Sequence, residues 1–176
     1  MSQLFGPVRQ MGYIVRDIES AMRHWTVAMH IGPFYYCERM PMLDLCFQGV
    51  QRIPEVSMAL TYSGNLQIAL MQQRDQTASS YLDFLATGNE GLHHSGFLSE
   101  HYDLDLQRAA EAGLRVEQSV VVGDPEGKST YFASRGHAGT MLKLTALYPG
   151  NRDLYHMVQT EAERWDGSGP VRRIDL

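Results

Sequence analysis

The sequence predicts an α+β fold made of two copies of a βαβββ module. Apolar residues follow strand-like and helix-like spacings in the same order in both halves of the chain. The first strand of each half can be aligned residue by residue, with Gln10-Met-Gly-Tyr-Ile-Val matching His94-Ser-Gly-Phe-Leu-Ser. A length of 176 residues, with 44% hydrophobic and 20% charged residues, is typical of one globular domain with a substantial core.

The first module begins with an apolar strand, Val8 to Val15, and a helix follows it. Asp17 is a suitable N-cap, and the apolar residues after it recur at three- and four-residue spacings until Gly32-Pro33 ends the helix. A long loop or lid is expected at Met40 to Pro54. Three more strands complete the module, the last two joined by Ser63-Gly64-Asn65, which suits a hairpin turn: Phe34 to Arg39, Glu55 to Tyr62 and Leu66 to Met71.

The second module repeats this order after a short helix around Ser79 to Ala86 and a linker. Its strand, helix and three further strands are predicted at Leu92 to Leu98, Asp103 to Gly113, Val116 to Val122, Thr130 to Ser134 and Thr140 to Ala146. The first strands of the two modules are 84 residues apart, measured from Gln10 to His94. The last strands are 74 residues apart, measured from Ala69 to Lys143. The difference places a ten-residue insertion in the first half, at the Met40 to Pro54 segment.

Duplicated units of this size usually share one core. We therefore predict a single domain over residues 1–150, with module one at about 8–72 and module two at about 91–147. A C-terminal helix and tail are expected over 151–176, with the helix at roughly Arg152 to Arg164.

Composition restricts the partners of the protein. A formal charge of -5 with scattered Lys and Arg residues argues against nucleic acid, because phosphate binding needs a positive field. No signal-like or membrane-spanning stretch is present, so no membrane partner and a cytoplasmic location are expected. Cys37 and Cys46 are interpreted as free thiols.

Five segments together resemble the vicinal-oxygen-chelate (glyoxalase/bleomycin resistance/dioxygenase) superfamily, over about Val8 to Leu147, and the glyoxalase-like group near methylmalonyl-CoA epimerase in particular. The segments are Gln10-Met-Gly-Tyr-Ile-Val-Arg-Asp-Ile-Glu-Ser-Ala-Met, Ile31-Gly-Pro-Phe, Leu66-Gln-Ile-Ala-Leu-Met-Gln-Gln, Gly91-Leu-His-His and Gly139-Thr-Met-Leu-Lys-Leu. The resemblance implies that the two modules form a half-open barrel with helices on its outer faces. It also implies a cup in which relatives hold a divalent metal on four side chains.

Carried onto this sequence, the four metal-ligand positions fall on Gln10, Ala69, His94 and Lys143. Alanine has no donor atom, and lysine must lose its proton before it can bind a cation. The resemblance therefore implies a degenerate metal site and no cofactor, with a weakly bound divalent metal as the alternative.

Strand alternation independently places these positions on one face of the sheet. Gln67 and Ala69 share a face opposite the apolar Ile68, and Lys143 projects opposite Leu142 and Leu144. We predict that Lys143 and His94 are catalytic, the Lys143 ammonium replacing the metal and stabilising an enolate or oxyanion, while His94 or a tyrosine moves the proton. The alternatives are that Lys143 anchors a carboxylate or phosphate, or that this face is merely solvated.

Substrate-binding roles are predicted for five residues: Gln10, Gln67, Ala69, Tyr35 and Tyr131. His93 is expected on the face opposite His94 as a packed histidine, and Tyr13 in the core beneath the helix. Tyr131 and His137 are expected near the mouth of the cup.

These features favour a small-molecule enzyme that acts next to a carbonyl. An epimerase, isomerase or lyase acting on an organic acid, thioester or polyketide-like substrate is the first hypothesis, and a non-catalytic binding or resistance protein is the alternative. A dioxygenase is third, because no carboxylate falls at the mapped positions. The expected ligand is apolar or aromatic with a carboxylate or carbonyl group, and a homodimer is expected because cupped sheets with open edges are commonly closed by a partner.

Overall fold

The computed structural model describes residues 2–133 and 141–175. Within those residues the chain forms one curled sheet of eleven strands with four α-helices packed on it. The predicted His137 lies outside the described residues, as do the ends of two predicted strands at Ser134 and Thr140. The α+β class and the half-open, curled sheet are as predicted.

Module one spans six strands and one helix in chain order: β1 (Gln10–Ile14), α1 (Ile18–Arg23), β2 (Phe34–Cys37), β3 (Met42–Phe47), β4 (Val50–Arg52), β5 (Val56–Ser63) and β6 (Leu66–Gln73). The Asp17 side chain caps α1 by accepting a hydrogen bond from the Ser20 amide, as predicted, and a π-helical turn, His24–Ala28, continues this helix. A connecting helix, α2 (Ser80–Ala86), begins at the Ser79 cap and leads into module two.

Module two contains four strands and one helix: β7 (Gly91–Ser99), α3 (Tyr102–Glu111), β8 (Val116–Val122), β9 (Lys128–Phe132) and β10 (Met141–Ala146). The chain ends with α4 (Pro149–Glu163) and a short strand, β11 (Val171–Arg173).

The strand order of the sheet reflects the duplication. The first module contributes β2-β5-β6-β1 and the second β7-β10-β9-β8, joined where β1 pairs antiparallel with β7 at the centre. In the first module Gly12 is opposite Ala69, and in the second Gly96 is opposite Lys143. Ala69 and Lys143 therefore occupy equivalent positions in the two modules, as the sequence alignment predicted.

The segment Met40 to Pro54 is not the predicted loop or lid. Gln48 and Gly49 both have positive φ, which a two-residue type I′ hairpin turn requires, and the flanking residues form the hairpin β3–β4. Strand β3 crosses to the other module and pairs antiparallel with β8. Leu45 and Phe47 are buried there, so the insertion is part of the core.

The apolar cores lie on both faces of the curled sheet. On the outer face Ile18 and Met22 of α1 pack against Ile68 and Leu70, and the predicted core residue Tyr13 lies at the edge of this cluster. On the concave face α4 packs over module one, where its fully buried Val158 joins a cluster with Tyr35, Leu60, Tyr62 and Ala69. The site described next also lies on the concave face, where residues of both modules and of α4 come together.

Candidate functional site

The site is built on two side chains that cross at the centre of the sheet. Gln10 of β1 lies over Gly96 of β7, and His94 of β7 lies over Gly12 of β1. A Cβ atom on Gly12 would overlap the imidazole ring of His94, and one on Gly96 would lie 2.8 Å from the Gln10 Cβ. The glycines are therefore required at both positions, because only a residue without a side chain leaves room for the crossing.

Hydrogen bonds fix the orientation of the Gln10 amide. Its Oε1 lies 3.2 Å from Lys143 Nζ and 3.2 Å from His94 Nε2, and its Nε2 donates to Gln67 Oε1. Gln67 in turn donates to the Tyr62 hydroxyl at 3.0 Å. Because a carbonyl oxygen can only accept, His94 donates from Nε2 and carries its proton there.

The prediction that His93 lies opposite His94 is wrong. A β-bulge in β7, opposite Gly12 and Tyr13, shifts the register of the strand, so His93 and His94 turn toward the same side. Their Nδ1 atoms lie 3.1 Å apart, and both rings pack against Tyr131. Since the His94 proton is on Nε2, its Nδ1 carries no proton and can only accept in this contact.

Burial keeps both histidines neutral at physiological pH. It lowers the pKa of His93 to about 4, and it lowers the pKa of His94 well below its ordinary value, with the nearby positive charge of Lys143 adding to the effect. His94 is fully buried behind Gln10 and does not line the cavity described below. It contacts the residues of the cavity wall at Gln10 and Tyr131.

Lys143 projects from β10 onto the concave face. Its Nζ donates to Gln10 and lies 5.4 Å from the centre of the Tyr131 ring, within the range of a cation–π contact. No ion pair formed by the described residues includes Lys143. Burial without a carboxylate partner lowers the pKa of Lys143 to about 8, because desolvation disfavours the charged form.

A cavity of about 370 Å³ opens onto Lys143. Much of its wall is apolar and adaptable, because four methionines contribute to it, and four tyrosines add aromatic surface. The methionines are Met40, Met42, Met58 and Met71, and the tyrosines are Tyr81, Tyr131, Tyr148 and Tyr155. Its other polar lining residues are Gln10, Asp124, Ser129, Lys143, Thr145 and Asn151. The size and lining suit a small, mainly apolar molecule with one or two polar groups.

Three of the seven predicted site residues line the cavity: Gln10, Lys143 and Tyr131. His94 and Gln67 lie behind them and contact Gln10. The predicted substrate-binding residues Ala69 and Tyr35 lie apart, in the cluster under α4, where the Tyr35 hydroxyl accepts a hydrogen bond from Arg172 at 3.0 Å. The C-terminal segment buries these two side chains. The sequence predicted a helix in this segment but did not predict what the helix packs against.

Sequence reasoning missed the lining residues that come from distant segments. Leu154 and Tyr155 come from α4, Met40 and Met42 from the insertion, and Asp124 from the turn between β8 and β9. An amphipathic C-terminal helix was a signal that this segment packs on the sheet, but nothing in its sequence indicated which face it would cover.

The residues at the family's metal positions do not fit a divalent metal. Ala69 has no donor atom and shares its cluster with Val158, while Lys143 directs its Nζ at the Gln10 oxygen that a metal would need. Elsewhere in residues 2–133 and 141–175 no group of three His, Cys, Asp or Glu side chains is arranged to hold a metal ion.

Paired βαβββ modules around a ligand-sized cup define a protein of the vicinal-oxygen-chelate class. A family model described as the Glyoxalase/Bleomycin resistance protein/Dioxygenase superfamily matches residues 9–132. The chain belongs to this superfamily. No curated protein sequence matches the chain, and no helix among the described residues has the length and apolar character needed to cross a membrane.

Several solved structures share the fold at low sequence identity. Methylmalonyl-CoA epimerase from Mycobacterium tuberculosis aligns with a TM-score of 0.62 and 14% identity, over 87% of this chain and 95% of the epimerase. A hypothetical protein from Bacillus halodurans aligns with a TM-score of 0.58 and 14% identity, over 81% and 94% of the two chains. A variant of the Streptomyces coelicolor methylmalonyl-CoA epimerase in complex with 2-nitronate-propionyl-CoA aligns with a TM-score of 0.56 and 15% identity, over 82% and 96%.

Proposed function

We propose that this protein is a small-molecule enzyme that acts next to a carbonyl group, with the Lys143 ammonium in place of a metal ion. The observation that carries the proposal is Lys143 itself: a cation with no carboxylate partner among the described ion pairs, on the wall of an otherwise largely apolar cavity. A partly buried cation without a counter-ion is costly, and a ligand with a negative or developing negative charge would relieve that cost.

The ligand class follows from the lining. Methionine and tyrosine side chains favour an aliphatic or aromatic body, and Lys143 favours an oxygen that carries negative charge, as in a carboxylate or an enolate. Solved relatives bind acyl-CoA compounds, and methylmalonyl-CoA is the named ligand of one of them, a complex that also contains NH4+. For this chain the cavity lining and Lys143 support only a ligand class, namely compounds with a carbonyl or carboxyl group.

The proposed chemical step is loss of a proton from the carbon next to the carbonyl. Lys143 would hydrogen bond the carbonyl oxygen and stabilise the charge that develops there, an interaction that commonly contributes a few kcal/mol, about 3 for one donor. Burial keeps the pKa of Tyr131 well above its ordinary value, so this phenol stays protonated and can donate but not accept the proton. Among the described lining residues Asp124 supplies the carboxylate that can accept it.

Binding of hydrocinnamate, a small aromatic carboxylate, tests the role of Lys143. We expect wild-type protein to bind it at least about tenfold more tightly than Lys143→Met, because a charge-assisted hydrogen bond contributes about 1.5 to 3 kcal/mol. The advantage should decline as the pH rises through about 8, where Lys143 loses its proton. Hydrocinnamyl alcohol, which has the same body without the charge, should bind both proteins equally. Equal hydrocinnamate affinity for both proteins across this pH range would contradict the proposal.

A non-catalytic binding protein is the second candidate, favoured by the burial of His94 behind Gln10. Exchange of the protons next to the carbonyl of benzylacetone, followed by NMR in deuterium oxide, separates the two candidates. An enzyme should accelerate this exchange, and Asp124→Asn should abolish the acceleration while leaving hydrocinnamate binding intact. Binding without any acceleration would support the second candidate.

A further inference from the structure

Lysine is scarce in this chain, and one of its two lysines lies in the cavity. Of the 15 basic residues only Lys128 and Lys143 are lysines, and the other 13 are arginines. Lys128 is exposed, whereas Lys143 is partly buried and lines the cavity. Arginine stays protonated in proteins, while lysine can lose its proton and become a nucleophilic amine. The side chain in the cavity is therefore the basic type that can form a covalent bond with a ligand.

The contacts of Lys143 suit an amine as well as an ammonium. Its hydrogen-bond partner, Gln10 Oε1, is an acceptor, so either form can donate one N–H to it. The amide cannot rotate freely, because His94 donates to the same oxygen and Gln67 accepts from the amide nitrogen. A neutral amine held in this way keeps its lone pair away from Gln10.

We propose that Lys143 is a nucleophile that condenses with an aldehyde or ketone held in the cavity. This proposal deepens the proposed function and rests on its premise that the cavity binds a carbonyl compound. It adds that the amine attacks the carbonyl carbon instead of only hydrogen bonding to the carbonyl oxygen.

The condensation is balanced without any further reactant. The Nζ lone pair forms a bond to the carbonyl carbon while the C=O π bond breaks, and one proton passes from nitrogen to oxygen to give a carbinolamine. The oxygen takes a second proton and leaves as water, while nitrogen and carbon form a C=N bond and nitrogen gives up its second proton. The net change is amine plus carbonyl compound to imine plus water, and addition of water reverses it.

The surroundings of Lys143 favour this reaction over one at an ordinary lysine. With a pKa of about 8, roughly a tenth of the Lys143 side chains are neutral at pH 7, against less than about a thousandth for an ordinary lysine. Among the described residues Nζ contacts Gln10 and the Tyr131 ring, and the neutral His94 lies behind Gln10. Asp124 lines the same cavity but forms no ion pair with Lys143, so no described carboxylate holds the proton. The cavity wall selects carbonyl compounds with a short aliphatic or aromatic tail.

Reductive trapping of benzylacetone tests the proposal on the intact protein. Sodium cyanoborohydride at about pH 7 adds hydride to an iminium and fixes it as a secondary amine, which peptide mass mapping locates. We expect Lys143 to be labelled at least about tenfold faster than Lys128, which is the internal control within the same molecule. Mapping also separates labelling of the α-amino group from labelling of either lysine.

Two variants keep the result interpretable. Lys128→Arg should retain the full labelling, and Lys143→Arg should lose it. Labelling of Lys143 no faster than Lys128 in the folded wild-type protein overturns the proposal whatever the variants do. The proposed function fails separately, if hydrocinnamate affinity is independent of Lys143, so the two failures are distinguishable.

Discussion

Gln10 and His94 cross at the centre of the sheet because each faces a glycine on the neighbouring strand. The same arrangement is visible in the sequence, where Gln10 and Gly12 of the first module align with His94 and Gly96 of the second. Each polar side chain therefore needs the glycine of the other module. A substitution at one glycine is expected to act on a side chain in the opposite half of the protein.

Gly12→Ala tests this dependence. The added methyl group would overlap the His94 ring, and overpacking of this kind typically costs about 1 to 3 kcal/mol of unfolding free energy. We expect a loss in this range by urea denaturation, together with weaker hydrocinnamate binding because Gln10 loses its His94 contact. In a His94→Ala background the methyl group has space, so Gly12→Ala should cost much less there. Additive effects of the two substitutions would show that the ring and the glycine do not interact.

Lys143 is expected to reduce stability at neutral pH. The pKa of its side chain is lowered from 10.5 to about 8, so its charge is buried at a cost below about pH 8, and the cost fades as the pH rises toward 10.5. Lys143→Met should therefore raise the free energy of unfolding at pH 7 by about 2 to 3 kcal/mol, with a smaller gain near pH 10. Lys128→Met, at an exposed position, should change little. A gain independent of pH would show that packing and not charge is responsible.

Among the elements, helices and strands with regular apolar spacing were predictable and irregular ones were not. Asp17 and the apolar spacing after it predicted α1, and the match of Gln10 to His94 predicted that β1 and β7 are the equivalent first strands of the two modules. The bulge in β7 was not predictable, because alternation assumes an uninterrupted strand and so places His93 opposite His94. Alternation also cannot tell which distant element covers a face, and for that reason Ala69 and Tyr35 were assigned to the site although α4 buries them.

Substitutions in strand β3 can test whether the segment Met40 to Pro54 is part of the core, as the structure shows, or a lid, as the sequence predicted. Phe47 is buried on β3 beside Val120 and Tyr131, so Phe47→Ala should cost about 3 to 4 kcal/mol of unfolding free energy. Leu43 of the same strand is 48% exposed, and Leu43→Ala should cost less than about 0.5 kcal/mol. Thermal and urea unfolding measure both. A loss at Phe47 no greater than that at Leu43 would restore the interpretation of this segment as a lid.

At the scale of the whole molecule, the curled sheet formed by the described residues ends on each side in a strand with one unpaired edge. Strand β4 forms one edge and β11 the other, and the β4 end carries exposed apolar side chains at Val50, Ile53 and Val116. Open edges with apolar residues favour pairing with a second copy of the chain.

We therefore predict a homodimer formed through the β4 edge. Light scattering at micromolar concentration should give twice the 19.9 kDa chain mass. Ile53, directly after β4, is exposed, and Ile53→Lys should shift the distribution toward monomer, since a charge at the sheet edge disfavours strand pairing. Val27→Lys, at an exposed position on the helical side, should leave it unchanged. A monomeric wild-type protein under these conditions would contradict the prediction.

The crossing of β3 to β8 also has a consequence during protein synthesis. The ribosome produces Leu45 and Phe47 well before it produces Val116–Val122, the strand that pairs with them. In the interval the nascent chain exposes an apolar strand with an unpaired backbone edge, the kind of segment that associates with other chains. A message truncated after module one would therefore yield an aggregation-prone polypeptide. Strand β3 is fully paired only when both modules are translated in the same chain.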